Sequence, residues 1–130
     1  MPTLDTSLFI DLLRGREEAF DMVASLENTG ATLATTPVNI LELYKGAYAS
    51  SNVGKKLEKI QKILEGVTII PISSETYHTF GSVAAGLKAE GRPIGDFDEL
   101  IAAITLCNDG TIVTRDRHFS RIPGLAVEDY

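Results

Sequence analysis

Residues 91–119, GRPIGDFDELIAAITLCNDGTIVTRDRHF, limit the folds open to this chain more than any other stretch. An acidic turn opens an apolar helix that runs to Leu106, and a short strand around Ile112 and Val113 then stops on a second acidic turn. Two carboxylates fall at element boundaries. Asp96 or Asp98 precedes the run Leu100 to Leu106, and Asp116 follows the strand. In an open parallel sheet, ligands bind in the crevice outside the carboxyl ends of the strands, which is where Asp116 is expected. The extended residues Met1 to Leu4 stop at Asp5 and supply a third carboxylate of the same kind.

The rest of the chain alternates in the same way. After Asp5, Thr6 or Ser7 can cap a helix with Leu8, Phe9, Leu12 and Leu13 on one face, stopped by Gly15. A second helix is expected over Glu17 to Glu27, with Phe20, Val23, Ala24 and Leu26 inward. ATLAT (31–35) reads as a strand, and Thr36-Pro37 as the cap and first position of a third helix reaching about Ala49. On that helix Ile40, Leu41, Leu43, Tyr44, Ala47 and Tyr48 form the apolar arc, and Glu42 falls nearly opposite its centre. A fourth helix is expected over 52–65, a third strand in GVTIIPI, and a fifth helix from Ser73 or Ser74 carrying Tyr77, Phe80, Ala84 and Leu87. Asp96 and Glu99 have capping-box spacing, which makes Asp96 the expected cap of the sixth helix. TIVT is the fourth strand and LAV a fifth at an edge. This order predicts an α/β three-layer sandwich with a mainly parallel sheet of four or five strands.

For 130 residues with 44% hydrophobic content, one domain over 1–130 with one sizeable core is expected. No apolar run approaches a membrane span and no basic segment precedes an apolar one at the N-terminus, so a soluble cytoplasmic protein without membrane contact is expected. The lone Cys107 agrees, since it cannot form an internal disulfide. A net charge of −6 argues against holding nucleic acid by charge alone. Lys55, Lys56, Lys59 and Lys62 read as a solvated helix face, whereas Arg115, Arg117 and Arg121 flank the acidic turn and are the better candidates for phosphate.

Asp5, Asp98 and Asp116 are expected near one edge of the sheet. Carboxylates held together raise one another's pKa unless cations sit among them, and hard oxygen ligands of this kind suit Mg²⁺ or Mn²⁺. Other chemistries find little support. His78 and His118 are far apart, no HxxxH or CxxC pair offers a zinc site, and neither a GxSxG elbow nor a GxxxxGK[ST] loop is present. Each acid also has a bland reading: Asp5 and Asp116 as caps, Asp98 as a charge at a helix N-terminus, Glu42 as a solvated side chain.

DTS at Asp5, LELYKG around Glu42, GDFDELIAA at Asp98 and TRDRHF at Asp116, in this order and over a chain of this length, resemble a PIN domain of the VapC toxin type. The resemblance implies a metal-dependent ribonuclease with Asp5, Glu42, Asp98 and Asp116 around Mg²⁺ or Mn²⁺. Thr6 and Thr114 would be polar neighbours that orient water or phosphate. It implies an RNA substrate, a VapB-like antitoxin partner, and a homodimer joined through the face of Tyr44, Ala47 and Tyr48. Asp96 departs from the pattern by adding an acid beside Asp98. The competing readings are a metal-dependent phosphatase, which wants DxD where this chain has DTS, and a degenerate PIN domain acting as a binding module, which usually lacks one of the acids.

Overall fold

The computed structural model describes residues Met1–Tyr130. Five strands, β1 (Thr3–Leu4), β2 (Ala34–Thr35), β3 (Thr68–Ile69), β4 (Thr111–Val113) and β5 (Ala126–Glu128), form one sheet in the order β3-β2-β1-β4-β5. Every pairing is parallel. Six helices flank it: α1 (Thr6–Leu13), α2 (Glu17–Asn28), α3 (Pro37–Tyr48), α4 (Val53–Ile63), α5 (Ser74–Ala89) and α6 (Asp96–Leu106). A 3₁₀ turn covers Arg117–Arg121. None of the helices is long and apolar enough to cross a membrane.

The alternation of strand side chains divides the core into two layers. Leu4 and Val113, paired in register, face a cluster with Leu8, Phe9, Leu26, Leu43 and Ile60 from the first four helices. Their neighbour Ile112 faces the opposite side, with Leu87, Ile101, Ile104 and Phe119. This is the three-layer sandwich expected, with the sheet fully parallel and five strands wide.

Several local expectations are corrected. The strands β2 and β3 are shorter than the apolar runs that contain them, and β3 is an exposed edge. Phe20, Ala24 and Tyr77 face outward, while α2 packs through Ala19 and Leu26 and α5 through Thr76 and Leu87. Ala47 is buried and Tyr44 packs against the core, which leaves Leu41 and Tyr48 as the exposed apolar side chains of α3. Asp96 is not the cap of α6. Gly95 holds that position at φ 105, a conformation that strains any side chain, and Glu99 reaches back to accept from the Ile94 N–H at 3.0 Å.

Candidate active site

The strand order reverses at β1. The chain runs outward through β2 and β3, then returns to the other side of β1 for β4 and β5. The switch point therefore lies between β1 and β4, and the residues just past both strand ends share one crevice. Asp5 follows β1, and Thr114, Arg115 and Asp116 follow β4.

Asp5 occupies the N-cap position of α1, yet its side chain makes no cap hydrogen bond. Its carboxylate instead accepts from Thr114 Oγ1 at 2.7 Å, Asn39 Nδ2 at 3.1 Å and Ser7 Oγ at 3.3 Å. Burial raises its pKa, with the Asp116 charge adding to the effect, while the bond from Thr114 opposes it. Thr36 and Pro37 start α3 as the sequence suggests, the Thr36 hydroxyl accepting from the Asn39 N–H. One turn on, Glu42 accepts from Thr6 Oγ1 at 2.7 Å. It is half-buried, and desolvation raises its pKa.

Asp98 stands in the first turn of α6, half-buried and without a hydrogen-bond partner from the protein. Desolvation, followed by the charges of Asp5, Glu42 and Asp116, pushes it up to about 7. Those causes place it electrostatically among the other three acids. Asp96, two residues earlier, is exposed. Asp116 caps the 3₁₀ turn by accepting from the His118 N–H at 2.9 Å, and its own N–H donates to Thr114 Oγ1 at 2.9 Å. The His118 imidazole lies 3.1 Å from the Asp116 carboxylate. Ligand atoms of Asp98, Asp116 and His118 all fall within 4.8 Å of one another.

Thr6 and Thr114 thus bind two of the four acids directly. Arg115 and Arg117 are exposed beside Asp116. Two further residues were not singled out for the site from the sequence. Asn39, fully buried, donates to both Asp5 and Thr6. Ser7, noted only as a possible cap, bonds to Asp5 and accepts from the Arg115 N–H at 3.2 Å. The available signal for Asn39 was its place three residues before Glu42, on the same face of α3.

The PIN domain family model matches residues 3–125. The chain belongs to the PIN domain family. Ribonuclease VapC1 of Haemophilus influenzae is 29% identical over 128 residues, which cover 98% of this chain and 96% of that protein. The tRNA(fMet)-specific endonuclease VapC of Shigella flexneri is 28% identical over the same shares of the two chains. Among solved structures, VapBC2 from Rickettsia felis bound to a DNA fragment from their promoter contains a chain that superposes with a TM-score of 0.91. It is 25% identical and the match covers 98% of this chain and 97% of that one. The relatives of this PIN domain are therefore VapC ribonucleases matched over nearly their full length.

Proposed function

We propose that this PIN domain is a VapC-type endoribonuclease that hydrolyses RNA phosphodiester bonds at Asp5, Glu42, Asp98 and Asp116. The observation that carries the reading is electrostatic. Burial above all, with the charges of neighbouring carboxylates adding to it, raises the pKa of three of the four acids, which come from separate elements, and Asp98 reaches about 7. Charges so arranged cost stability in the absence of a cation, a pattern that folds retain at functional sites. The donors are oxygens, with His118 the one nitrogen nearby, which fits a hard divalent ion such as Mg²⁺ or Mn²⁺. When bound, such an ion supplies Lewis acidity and neutralises charge developing on phosphate.

The chain's own residues prepare the site. Thr114 and Asn39 fix the Asp5 carboxylate, and Thr6 fixes Glu42, so neither must reorganise when substrate arrives. An RNA substrate is supported by the ribonuclease names of the relatives, and a single-stranded or looped segment suits an open crevice better than a duplex. An antitoxin partner is supported by the VapBC complexes among the structural neighbours. A groove of about 260 Å³ between α1, α3 and α4, lined by Ile10, Leu13, Leu43 and Ile60 with Lys56 and Lys59, includes Glu42 in its lining. An antitoxin segment seated there reaches the acids directly and presents an arginine to them. A homodimer would use the exposed Leu41 and Tyr48 of α3. Incubating the protein with labelled RNA in Mn²⁺ gives cleavage, and a parallel sample in excess EDTA gives none; cleavage in EDTA would rule the reading out.

A further inference from the structure

Asp11 is a buried acid with no part in the chemistry above. It is 1% exposed and lies on α1 one turn beyond Ser7. Its Oδ2 accepts from the Tyr130 hydroxyl at 2.7 Å. Its Oδ1 faces two guanidinium groups, Arg115 Nη2 at 3.2 Å and Arg16 Nε at 3.4 Å, yet accepts no aligned hydrogen bond from either. The topology explains the meeting. β4 and β5 are parallel, with Thr114 N–H donating to the Glu128 carbonyl at 3.1 Å, so Arg115 and Tyr130 emerge at the same sheet edge, beside α1.

A buried carboxylate needs one opposite charge, and this one has two. The group as a whole carries a surplus positive charge in a chain of net charge −6. Both guanidinium groups are about half exposed, at 46% and 51%, and neither donates a hydrogen bond to another side chain or to the backbone. Their donors are positioned by charge and left free. The group also adjoins the acids: the Arg115 N–H donates to Ser7 Oγ, which donates in turn to Asp5 Oδ2. Arg117, by contrast, has no ion-pair partner to hold it, and Lys56 and Lys59 of α4 line the groove with Ile10 and Leu13.

We propose that Asp11 gathers Arg16 and Arg115 into a binding site for one backbone phosphate of the RNA, adjacent to the phosphodiester held at the four acids. Arg115 and Arg16 touch the phosphate, and Asp11 and Tyr130 are positioning residues. The inference rests on the ribonuclease reading and extends it to a second phosphate.

Two assays on the full chain test it: binding of a fluorescein-labelled single-stranded RNA in Ca²⁺, and cleavage of the same RNA in Mn²⁺. Arg115→Gln weakens binding about tenfold, as expected for losing a charge-assisted bond. It also lowers the slope of log K against log salt by about 0.7, the share of one phosphate on a single strand. Arg16→Gln acts in the same direction. Asp11→Asn still accepts from Tyr130 but releases the arginines, and added to the double variant Arg115→Gln/Arg16→Gln it weakens binding no further. If Asp11→Asn does not fold, Tyr130→Phe takes its place and weakens binding about threefold, the effect of one lost hydrogen bond. Wild-type protein that cleaves, with an Arg115→Gln variant that binds as tightly and with the same salt slope, overturns the phosphate site. Wild-type protein that binds with the expected variant pattern but never cleaves overturns the ribonuclease reading instead.

Discussion

The Thr6 hydroxyl donates to Glu42 Oε1 at 2.7 Å, joining residues 36 apart in the chain. Thr6 begins α1 directly after Asp5, and Glu42 lies in the middle of α3, so this bond ties two of the four acids into one constellation. Asn39 completes the tie by donating to both Thr6 Oγ1 and Asp5 Oδ1. The acids on the β1–α3 side of the crevice are therefore held by neutral donors and those on the α6 side by none, apart from the cap that Asp116 provides.

Thr6→Val keeps the shape and removes the donor. Glu42 then keeps its place on α3 but loses its orientation, and cleavage in Mn²⁺ falls about tenfold, near the free energy of one hydrogen bond to a charged acceptor. Steady-state kinetics measures it, with a thermal melt to show that the fold is intact; wild-type activity in the folded variant would remove Thr6 from the site.

Asn39→Ala should be the more damaging change. It removes the donor to Asp5 Oδ1, leaving Thr114 and Ser7 on Oδ2, and it leaves Thr6 Oγ1 without its donor and the Thr36 hydroxyl without its acceptor, at a cost of about 1–3 kcal/mol. Urea denaturation reads this as a lower midpoint with unchanged slope, and activity falls along with it.

Asp98→Asn and Asp96→Asn separate two acids two residues apart. Removing the Asp98 charge should lower cleavage by roughly a hundredfold, the range for losing one electrostatic group at a transition state. It should also raise the melting temperature of the metal-free protein at pH 8, because an acid pushed up to about 7 is a destabilising charge there. Asp96→Asn should change both little, since Asp96 is exposed and Gly95 holds the cap position. A dead Asp96→Asn beside an active Asp98→Asn would move the third carboxylate.

The same shifts set a pH dependence. Asp5, Glu42 and Asp98 have raised pKa values, so between their unfolded values and the folded values the native state binds more protons than the unfolded chain. These groups therefore make metal-free stability fall as pH rises, and for Asp98 the fall spans pH 3.8 to about 7. Mn²⁺ should reverse the trend at pH 8, adding about 2.7 kcal/mol at a concentration a hundred times its dissociation constant. Thermal melts in EDTA and in Mn²⁺ from pH 5 to 8 give both curves; a metal-free melting temperature that rises over that range would show that ionising Asp5, Glu42 and Asp98 does not cost stability as described.

Much of this molecule was legible in the chain itself. Alternating strand and helix patterns specify a parallel sheet, because hydrophobic periodicity and caps such as Thr36-Pro37 are local properties. Asp5 and Asp116 were identifiable for the same reason, being the residues at which strands stop. Glu42 was different. On the helix wheel a side chain facing a crevice and one facing bulk water look alike, and only the resemblance of LELYKG to a family motif singled it out. The placement of α3 against α1 supplied the Thr6 bond and the half-buried setting. Spacing assigned the cap of α6 to Asp96 and was wrong, since a cap at Gly95 depends on a positive φ and on Glu99 reaching back to Ile94. Nothing in the pattern of the first helix marked Asp11. Its two arginines and Tyr130 come from positions 16, 115 and 130, brought together because β4 and β5 run parallel and end beside α1. Which elements form follows from patterns a few residues long, whereas which charges meet follows from the order of strands in the sheet, and that order is decided by packing the two layers of helices over it.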